Sequence, residues 1–368
     1  MKLSAPADQI GAELRAFVPP LMEAWNVPAT SVALVQDGKI AWLGSFGLTN
    51  RKTLQPVHEG TAFEAASLSK PMFALAALQL HEQGRLVLDV SLRRYVESPY
   101  APGDSRADEI TLRQALSHTT GFPNWRSERH PIRTYFPPGS RFGYSGEGYV
   151  YAQRAAERVE GTDLEGIARR RVFDPLKMLC SSYTWPIPGE HRVAYGHTVA
   201  GEPLPKRAWA QPNAAGSLHT TPEDYARFMV DVIGAGNGHN SLVSQATIRE
   251  MLTPHVGVNG SDSQDADWPN LSATEWAGLS WGLGWGLEDT GDGIAMWQWG
   301  GEAHYKSFAI GCVEHACGVV VMTNSGTGWN LFRPILEVLS DVSHPSLDWL
   351  ERVHWRRKNG GQPGGNGR

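Results

Sequence analysis

TAFEAASLSKPMFALAALQLHEQGRL, Thr61 to Leu86, runs an apolar approach segment into a serine and starts a helix almost at once. Pro71 suits a first helical turn, where its missing N–H costs nothing. Leu75, Ala77, Leu78 and Leu80 recur at helical spacing and predict a long amphipathic helix. With Ser67 at the head of that helix, Lys70 falls three residues on, on the same face. An amine then stands beside a hydroxyl, at a helix end whose free N–H groups favour developing negative charge. These are the parts of an activated serine nucleophile. The same residues also serve as an N-cap serine followed by an exposed cation, and a lone Ser-x-x-Lys does not separate the two readings.

Working outward, 368 residues allow two or three domains and a sizeable core. The chain is 41% hydrophobic and 19% charged, the balance of a globular protein, and its 14 tryptophans are enough to line a pocket as well as a core. A net charge of -5 without long like-sign blocks gives no basic footprint for nucleic acid or an anionic membrane. The first 25 residues hold no continuous apolar signal region, and no run reaches the length of a bilayer span. A cytoplasmic protein without membrane or nucleic-acid partners is expected. Cys180, Cys312 and Cys317 make no disulfide framework; Cys312 and Cys317 read as reduced strand thiols flanking a short turn. No HExxH and no His/Cys cluster has ligand spacing, so neither metal nor cofactor is expected.

Residues 4–25 carry a helical pattern with Ile10, Leu14, Phe17 and Leu21 on one face, interrupted at Pro19–Pro20. SVALVQDGKIAWLGSFG predicts a hairpin: Ser31–Gln36, an Asp37–Gly38 turn, then Lys39–Phe46. Between about Asp108 and Ala235 helical patterns dominate. TLRQALSHTTGF begins as an amphipathic helix with a stop at Gly121, a helix starts near Tyr149, and TPEDYARFMVDVI opens with an initiation signal. Ser244 or Thr247 caps another helix. From about Trp276 strands return, including Lys306–Val313 and Gly318–Thr323, before a closing helix over WNLFRPILEVLSDV. The order predicts an α/β (α+β) fold: an antiparallel sheet domain built from residues 1–75 and 276–352, flanked by helices, and a mainly helical domain, 76–275, inserted between them. Residues 353–368, ending in KNGGQPGGNGR, read as a disordered tail.

In order, these motifs resemble the serine β-lactamase and penicillin-binding family, in its class C branch with the esterase, D-aminopeptidase and transesterase relatives. SLSK at 67–70 is similar to the first motif, YSG at 144–146 falls where the family has Tyr-x-Asn, and Trp299–Gly300–Gly301 falls where it has Lys-Thr-Gly or His-x-Gly. TLRQALSHTTGF, PPGSRFGYSGEGY, AAGSLHTTPEDYARFM and WGLGWGLE also look like this branch, so the resemblance spans roughly residues 10–340. It implies the β-lactamase-like fold and a set of roles. Ser67 would form an acyl-enzyme. Lys70 can take its proton only when neutral, which requires burial or nearby positive charge. Tyr144 would share that proton and pass it to the leaving group, and which of the two is the base stays open because coupled groups titrate as a unit. The oxyanion hole would come from the N–H groups of Ser67 and Glu302, and glycines at 300 and 301 let a substrate approach a strand edge.

Two departures carry information about the substrate. Gly146 stands where the family offers an amide, and Trp299 stands where penicillin-recognising members offer a cation. A pocket short of an amide and a cation suits an apolar acyl or alkoxy group, and the Trp-Gly-Gly form is similar to that of the esterases and acyl transferases of this fold. Trp125 and Phe122 read as pocket wall or core, and His304 as touching substrate or lying outside the site. Ser145, in GYSGEG, misses the Gly-x-Ser-x-Gly elbow because Glu147 follows where glycine is needed, so it reads as a turn residue. His118 reads as a loop histidine satisfied by backbone. The expected function is a serine hydrolase that cleaves carboxylic esters through an acyl-Ser67 intermediate, its partner a small-molecule ester or amide substrate. Same-machinery alternatives are a D-amino-acid amidase or peptidase, an acyltransferase and a weak β-lactamase, and a non-catalytic binding scaffold is the alternative of another class. The residues leave the oligomeric state open.

Overall fold

The structure is a computed structural model that describes residues 1–187, 192–209, 211–259 and 275–355. Helix α1 (Ala7–Ala24) leads into a hairpin of β1 (Ala29–Gln36) and β2 (Lys39–Asn50), then β3 (Gln55–Pro56) and β4 (Phe63–Ala66). Helices α2 (Ser69–Glu82), α3 (Leu112–Leu116), α4 (Gly146–Glu160) and α5 (Leu164–Ala168) follow. After β5 (Leu218–Thr220) come α6 (Pro222–Gly236), α7 (Gln245–Met251) and β6 (Val256–Asn259). Strands β7 (Glu275–Trp281), β8 (Gly286–Asp289), β9 (Ile294–Glu302), β10 (Tyr305–Cys312) and β11 (Cys317–Thr323) precede α8 (Phe332–Leu339) and α9 (Pro345–Trp349).

Among the described residues nine strands form one antiparallel sheet in the order β3-β2-β1-β11-β10-β9-β8-β7-β6, while β4 and β5 pair separately. The first strands and the last ones meet at its centre, where Ala33 of β1 faces Val320 of β11 and Val320 faces Ala309 of β10. Alternation splits these strands between two cores. Val32, Leu34, Phe308, Ile310, Val319 and Val321 pack with α1 and α8 residues such as Leu14 and Ile335. Ala33, Val35, Ala309, Val320 and Met322 pack with α2 and α6 residues such as Phe73 and Phe228. A sheet covered on both faces explains why Val32–Val35 of β1 and Val319–Met322 of β11 read as continuous apolar runs. The middle segment is drawn into this unit as well: β6 extends the sheet, and α6 packs over β1, β2 and β11.

Several local expectations change. α1 runs through Pro19 and Pro20; the carbonyls they leave without donors belong to Arg15 and Ala16, both exposed residues where water can take the donor's place. Its buried stripe is Ile10, Leu14, Val18 and Met22, whereas Phe17 is left 37% exposed. Helix α2 is buried on every side from Ser69 to Leu80, so it is a central rather than an amphipathic helix. α3 stops at Leu116, well before Gly121: a capping box of Thr111 and Gln114 starts it, and His118 at a φ of 56° lies beyond its end. α6 begins as expected, with Thr221 accepting from the Asp224 N–H and Pro222 in the first turn. Ser244, not Thr247, caps α7. Cys312 and Cys317 face each other in the β10–β11 ladder and are free. The expected tail, 353–368, lies outside the described residues from 356 onward. Among the described residues no helix is long and apolar enough to cross a membrane.

Candidate active site

The chain leaves β4 and enters α2 through Ala66, whose φ of 50° puts a non-glycine residue in the left-handed region, a conformation costing roughly 1–2 kcal/mol. Ser69 holds that bend: its hydroxyl donates to the Ala66 carbonyl (2.6 Å) and accepts from the Leu218 N–H of β5 (3.0 Å). Ser67 sits at the bend, half-buried, on the wall of a cavity of about 760 Å³. Tyr144, Trp299, Gly301, Glu302, Asn124 and Trp125 line the same cavity.

One helical turn brings Lys70 under Ser67. Its Nζ lies 3.0 Å from Ser67 Oγ and donates to the Ala215 carbonyl at 2.7 Å. Lys70 is fully buried, and that desolvation lowers its ammonium to about 7, against an opposing pull from the Glu302 carboxylate. An amine half-neutral near pH 7 can accept a proton from a neighbouring hydroxyl, and the Ala215 carbonyl fixes one of its N–H bonds.

The Tyr144 ring centroid is 4.8 Å from Lys70 Nζ, and its hydroxyl accepts from Gln298 Nε2 at 2.9 Å. The ring is packed between His118, 4.2 Å between centroids, and Trp299, at 4.6 Å. His118 is fully buried, its Nδ1 accepts the Ser145 N–H at 3.0 Å, and burial holds its pKa well below the usual range. It is thus a neutral structural ring that also wedges Tyr144. Ser145 caps α4, accepting from the Gly148 N–H and donating to the Pro123 carbonyl, which spends its hydroxyl on the turn.

The glycines act differently from the expectation. A Cβ on Gly300 would overlap the Ala65 carbonyl oxygen and Ser307 Oγ. Gly300 therefore lets β9 press against β4, the strand that leads into Ser67, while Gly301 is the one on the cavity wall. A Cβ on Gly146 would come within 2.9 Å of both the Asn124 carbonyl and the Trp125 ring. So Gly146 is roofed by Trp125 rather than open to substrate, and its N–H is spent on Asn124, whose Oδ1 accepts it at 2.9 Å.

Trp125 is held in place from below. Glu147, on the first turn of α4, accepts from Arg126 Nε (2.9 Å), Arg126 Nη2 (2.5 Å), the Arg126 N–H (3.0 Å) and the Tyr100 hydroxyl (2.5 Å). Phe122, in the same loop, does not reach the cavity. It is buried against Tyr100 and Tyr151, at 5.6 and 6.3 Å between centroids, and belongs to the core. His304 is half-buried against Gly196 and is also absent from the cavity wall. Trp299 lines the cavity but is only 3% exposed, because Tyr144, Trp297 and Trp349 stack around it.

Sequence reasoning passed over several residues that the fold adds. Ala215 supplies the lysine's acceptor, and Gln298 fixes the Tyr144 hydroxyl from the neighbouring position on β9. Lys306 brings a cation to the wall: its ammonium donates to the Glu302 carbonyl and lies 4.9 Å from the Trp329 ring. Glu302 itself is paired with Arg207 at 3.0 Å. Trp25, Val199, Trp329 and Asn330 complete much of the rim. The strand period could have flagged Gln298 and Lys306, the first beside Trp299 on β9 and the second opposite Gly301 on β10. Nothing local could have flagged Trp25 or Val199.

Comparison with known proteins gives the following. The Beta-lactamase family model matches residues 14–334. Penicillin-binding protein 4* of Bacillus subtilis is 22% identical over 341 residues, covering 85% of this chain and 71% of that protein. Esterase EstB of Burkholderia gladioli is 24% identical over 401 residues, covering 92% and 96%. Among solved structures, a β-lactamase/D-alanine carboxypeptidase from Pseudomonas syringae superposes with a TM-score of 0.73 at 17% identity, over 90% of this chain and 98% of that one.

Proposed function

The chain belongs to the beta-lactamase family, whose members are serine hydrolases, and we propose that within it this protein cleaves carboxylic esters through an acyl-Ser67 intermediate. The observation that carries the reading is the Lys70 amine, 3.0 Å from Ser67 Oγ and brought to about 7 by burial. Ser67 Oγ attacks the ester carbonyl as its proton passes to the Lys70–Tyr144 pair. The Oγ–C bond forms, the C–OR bond breaks, and the pair returns the proton to the departing alkoxide. Water then attacks the acyl-enzyme by the reverse relay, releasing the acid and restoring Ser67. The N–H groups of Ser67 and Glu302 are assigned to the oxyanion, a contribution of about 10²–10³ in rate per donor.

Ester rather than β-lactam chemistry is favoured by the wall around Ser67. Trp125 fills the space over Gly146, and Trp299 lines the same wall with an apolar ring where penicillin-recognising members offer a cation. A relative of near-complete coverage carries the name esterase. Lys306 on the same wall favours one second reading, an amidase or peptidase whose substrate ends in a carboxylate.

Intact-mass spectrometry after a fluorophosphonate probe tests the nucleophile. A single adduct on the wild type and none on Ser67→Ala is expected, and an equal adduct on both refutes it. Turnover of p-nitrophenyl esters should far exceed that of chromogenic cephalosporins; the reverse ranking overturns the ester reading, and fast turnover of D-amino-acid amides selects the second one.

A further inference from the structure

Large apolar side chains are scarce on this surface, and they are not scattered evenly. Seven are exposed among the described residues: Phe17, Trp25, Leu54, Trp125, Leu179, Val199 and Ile294. Three of these, Trp25 (46%), Trp125 (43%) and Val199 (67%), line the cavity that holds Ser67. Singly exposed apolar residues are ordinary, but a cluster at the mouth of a cavity marks a binding surface.

The cluster is built in advance of any ligand. Trp25 closes the C-terminus of α1, and the next residue, Asn26, turns the chain at a φ of 53°. Asn26 Nδ2 donates to the Val199 carbonyl at 2.7 Å, and the Arg51 guanidinium donates to Asn26 Oδ1. The segment around Val199 is thereby fastened beside Trp25, although the two residues are far apart in the chain. Trp125 is fixed separately, through Arg126 and Glu147. With the backbone beneath these side chains already fixed, less of the chain has to be ordered when a ligand covers them.

The volume agrees. About 760 Å³ lies within the range of roughly 300–1,000 Å³ that accommodates a drug-sized ligand, and an acetyl group would leave most of it filled with water. We infer that the substrate is an ester carrying a bulky apolar group, an aryl or medium-length alkyl chain, which extends from Ser67 and is covered by Trp25 and Val199. This specificity rests on the acyl-Ser67 reading above. The apolar group can belong to the acyl or to the alcohol half, since both leave the same carbonyl; the test has an arm for each.

One arm measures kcat/KM for p-nitrophenyl acetate, butyrate, octanoate and benzoate. The other holds the acyl group as acetate and varies the alcohol from methyl to octyl and benzyl, followed by acid release. The same series is run on Trp25→Ala and Val199→Ser, surface truncations whose folding is checked by thermal unfolding. In at least one arm the wild type should prefer the bulky member over the smallest by tenfold or more. Trp25→Ala should lower that ratio about five- to tenfold, mainly through KM, with a smaller fall for Val199→Ser. A flat profile in both arms, or a ratio untouched by Trp25→Ala, overturns the inference. The fluorophosphonate adduct on Ser67 separates the two readings: with the adduct and a flat profile only the apolar subsite falls, and without the adduct on wild type the hydrolase reading falls with it.

Discussion

Replacing Lys70 with methionine should make the protein more stable at neutral pH while removing its activity. The amine is fully buried, and its pKa falls from an ordinary value near 10.5 to about 7. Between those values the unfolded chain binds a proton that the folded chain does not, so the stability of the wild type rises with pH across this window. Below pH 7 both states are protonated and the whole cost of about 5 kcal/mol is carried; at pH 7 about 4 kcal/mol remains, and near pH 10.5 almost none. Methionine has a similar length and no charge to desolvate. It forfeits the hydrogen bond to the Ala215 carbonyl (2.7 Å), about 1–2 kcal/mol. The net expectation is a gain of about 2 kcal/mol at pH 7 that turns into a loss of about 1 kcal/mol near pH 10. Urea unfolding of both proteins at pH 7, 8.5 and 10 measures it, other titrating groups cancelling in the difference. Two stability curves that stay parallel across this range would refute a depressed Lys70. The same titration sets the rate profile: kcat/KM of the wild type should rise about tenfold from pH 6 to pH 8, as the neutral fraction goes from about one tenth to nine tenths.

Other perturbations probe the walls of the site. Tyr144→Phe removes the hydroxyl held by Gln298 and should cut kcat on p-nitrophenyl esters by about 10²–10⁴ without moving the unfolding midpoint by much; near-normal turnover would take Tyr144 out of the relay. Glu147→Gln weakens the paired hydrogen bonds to Arg126, which is 44% exposed, so a modest loss of about 1–2 kcal/mol in urea unfolding is expected, with a raised KM as Trp125 loosens. Gly300→Ala forces β9 away from Ala65 and Ser307; a loss of about 1–3 kcal/mol should accompany a fall in kcat, and a fully active, equally stable variant would contradict the close approach. Gly146→Asn restores the residue type found in the second motif of β-lactamases, yet its Cβ meets Asn124 and Trp125 at 2.9 Å. It should lose ester turnover without gaining cephalosporin hydrolysis, as a parallel assay of both substrates would show.

The parts of the molecule legible in its sequence are those where one local rule decides. Val32–Val35, Phe308–Ile310 and Val319–Met322 are apolar on successive positions because both faces of the sheet are covered, and Asp37–Gly38 marks the turn between β1 and β2. Ser67 and Lys70 meet because helical spacing alone brings them together, and the meeting is at 3.0 Å. What could not be read depends on distant partners. Lys70 takes its acceptor from Ala215 and Tyr144 takes its donor from Gln298, each roughly 150 positions away. Phe122 and Trp125 are three residues apart in one loop, and only the packing of Tyr100 and Tyr151 on one side shows that Phe122 turns inward. Gly300 and Gly146 announce themselves as glycines, but the backbone and indole that exclude a side chain there belong to other segments. Pro19 and Pro20 looked like a break because propensity does not show which carbonyls face water.

The placement of β11 and β10 beside β1 has a consequence for the newly made chain. Ser67 and Lys70 leave the ribosome roughly 230 residues before Glu302 and the strands that seat it, an interval on the order of 10–50 s at usual rates of synthesis. Until then β1 and β2 have an open edge where β11 will pair, α2 has only part of its cover, and the lysine amine is still in water, protonated and unable to take the serine's proton. On the proposed mechanism the nascent polypeptide therefore carries Ser67 in an inert form, and burial of one amine arms it only when the last third of the chain arrives.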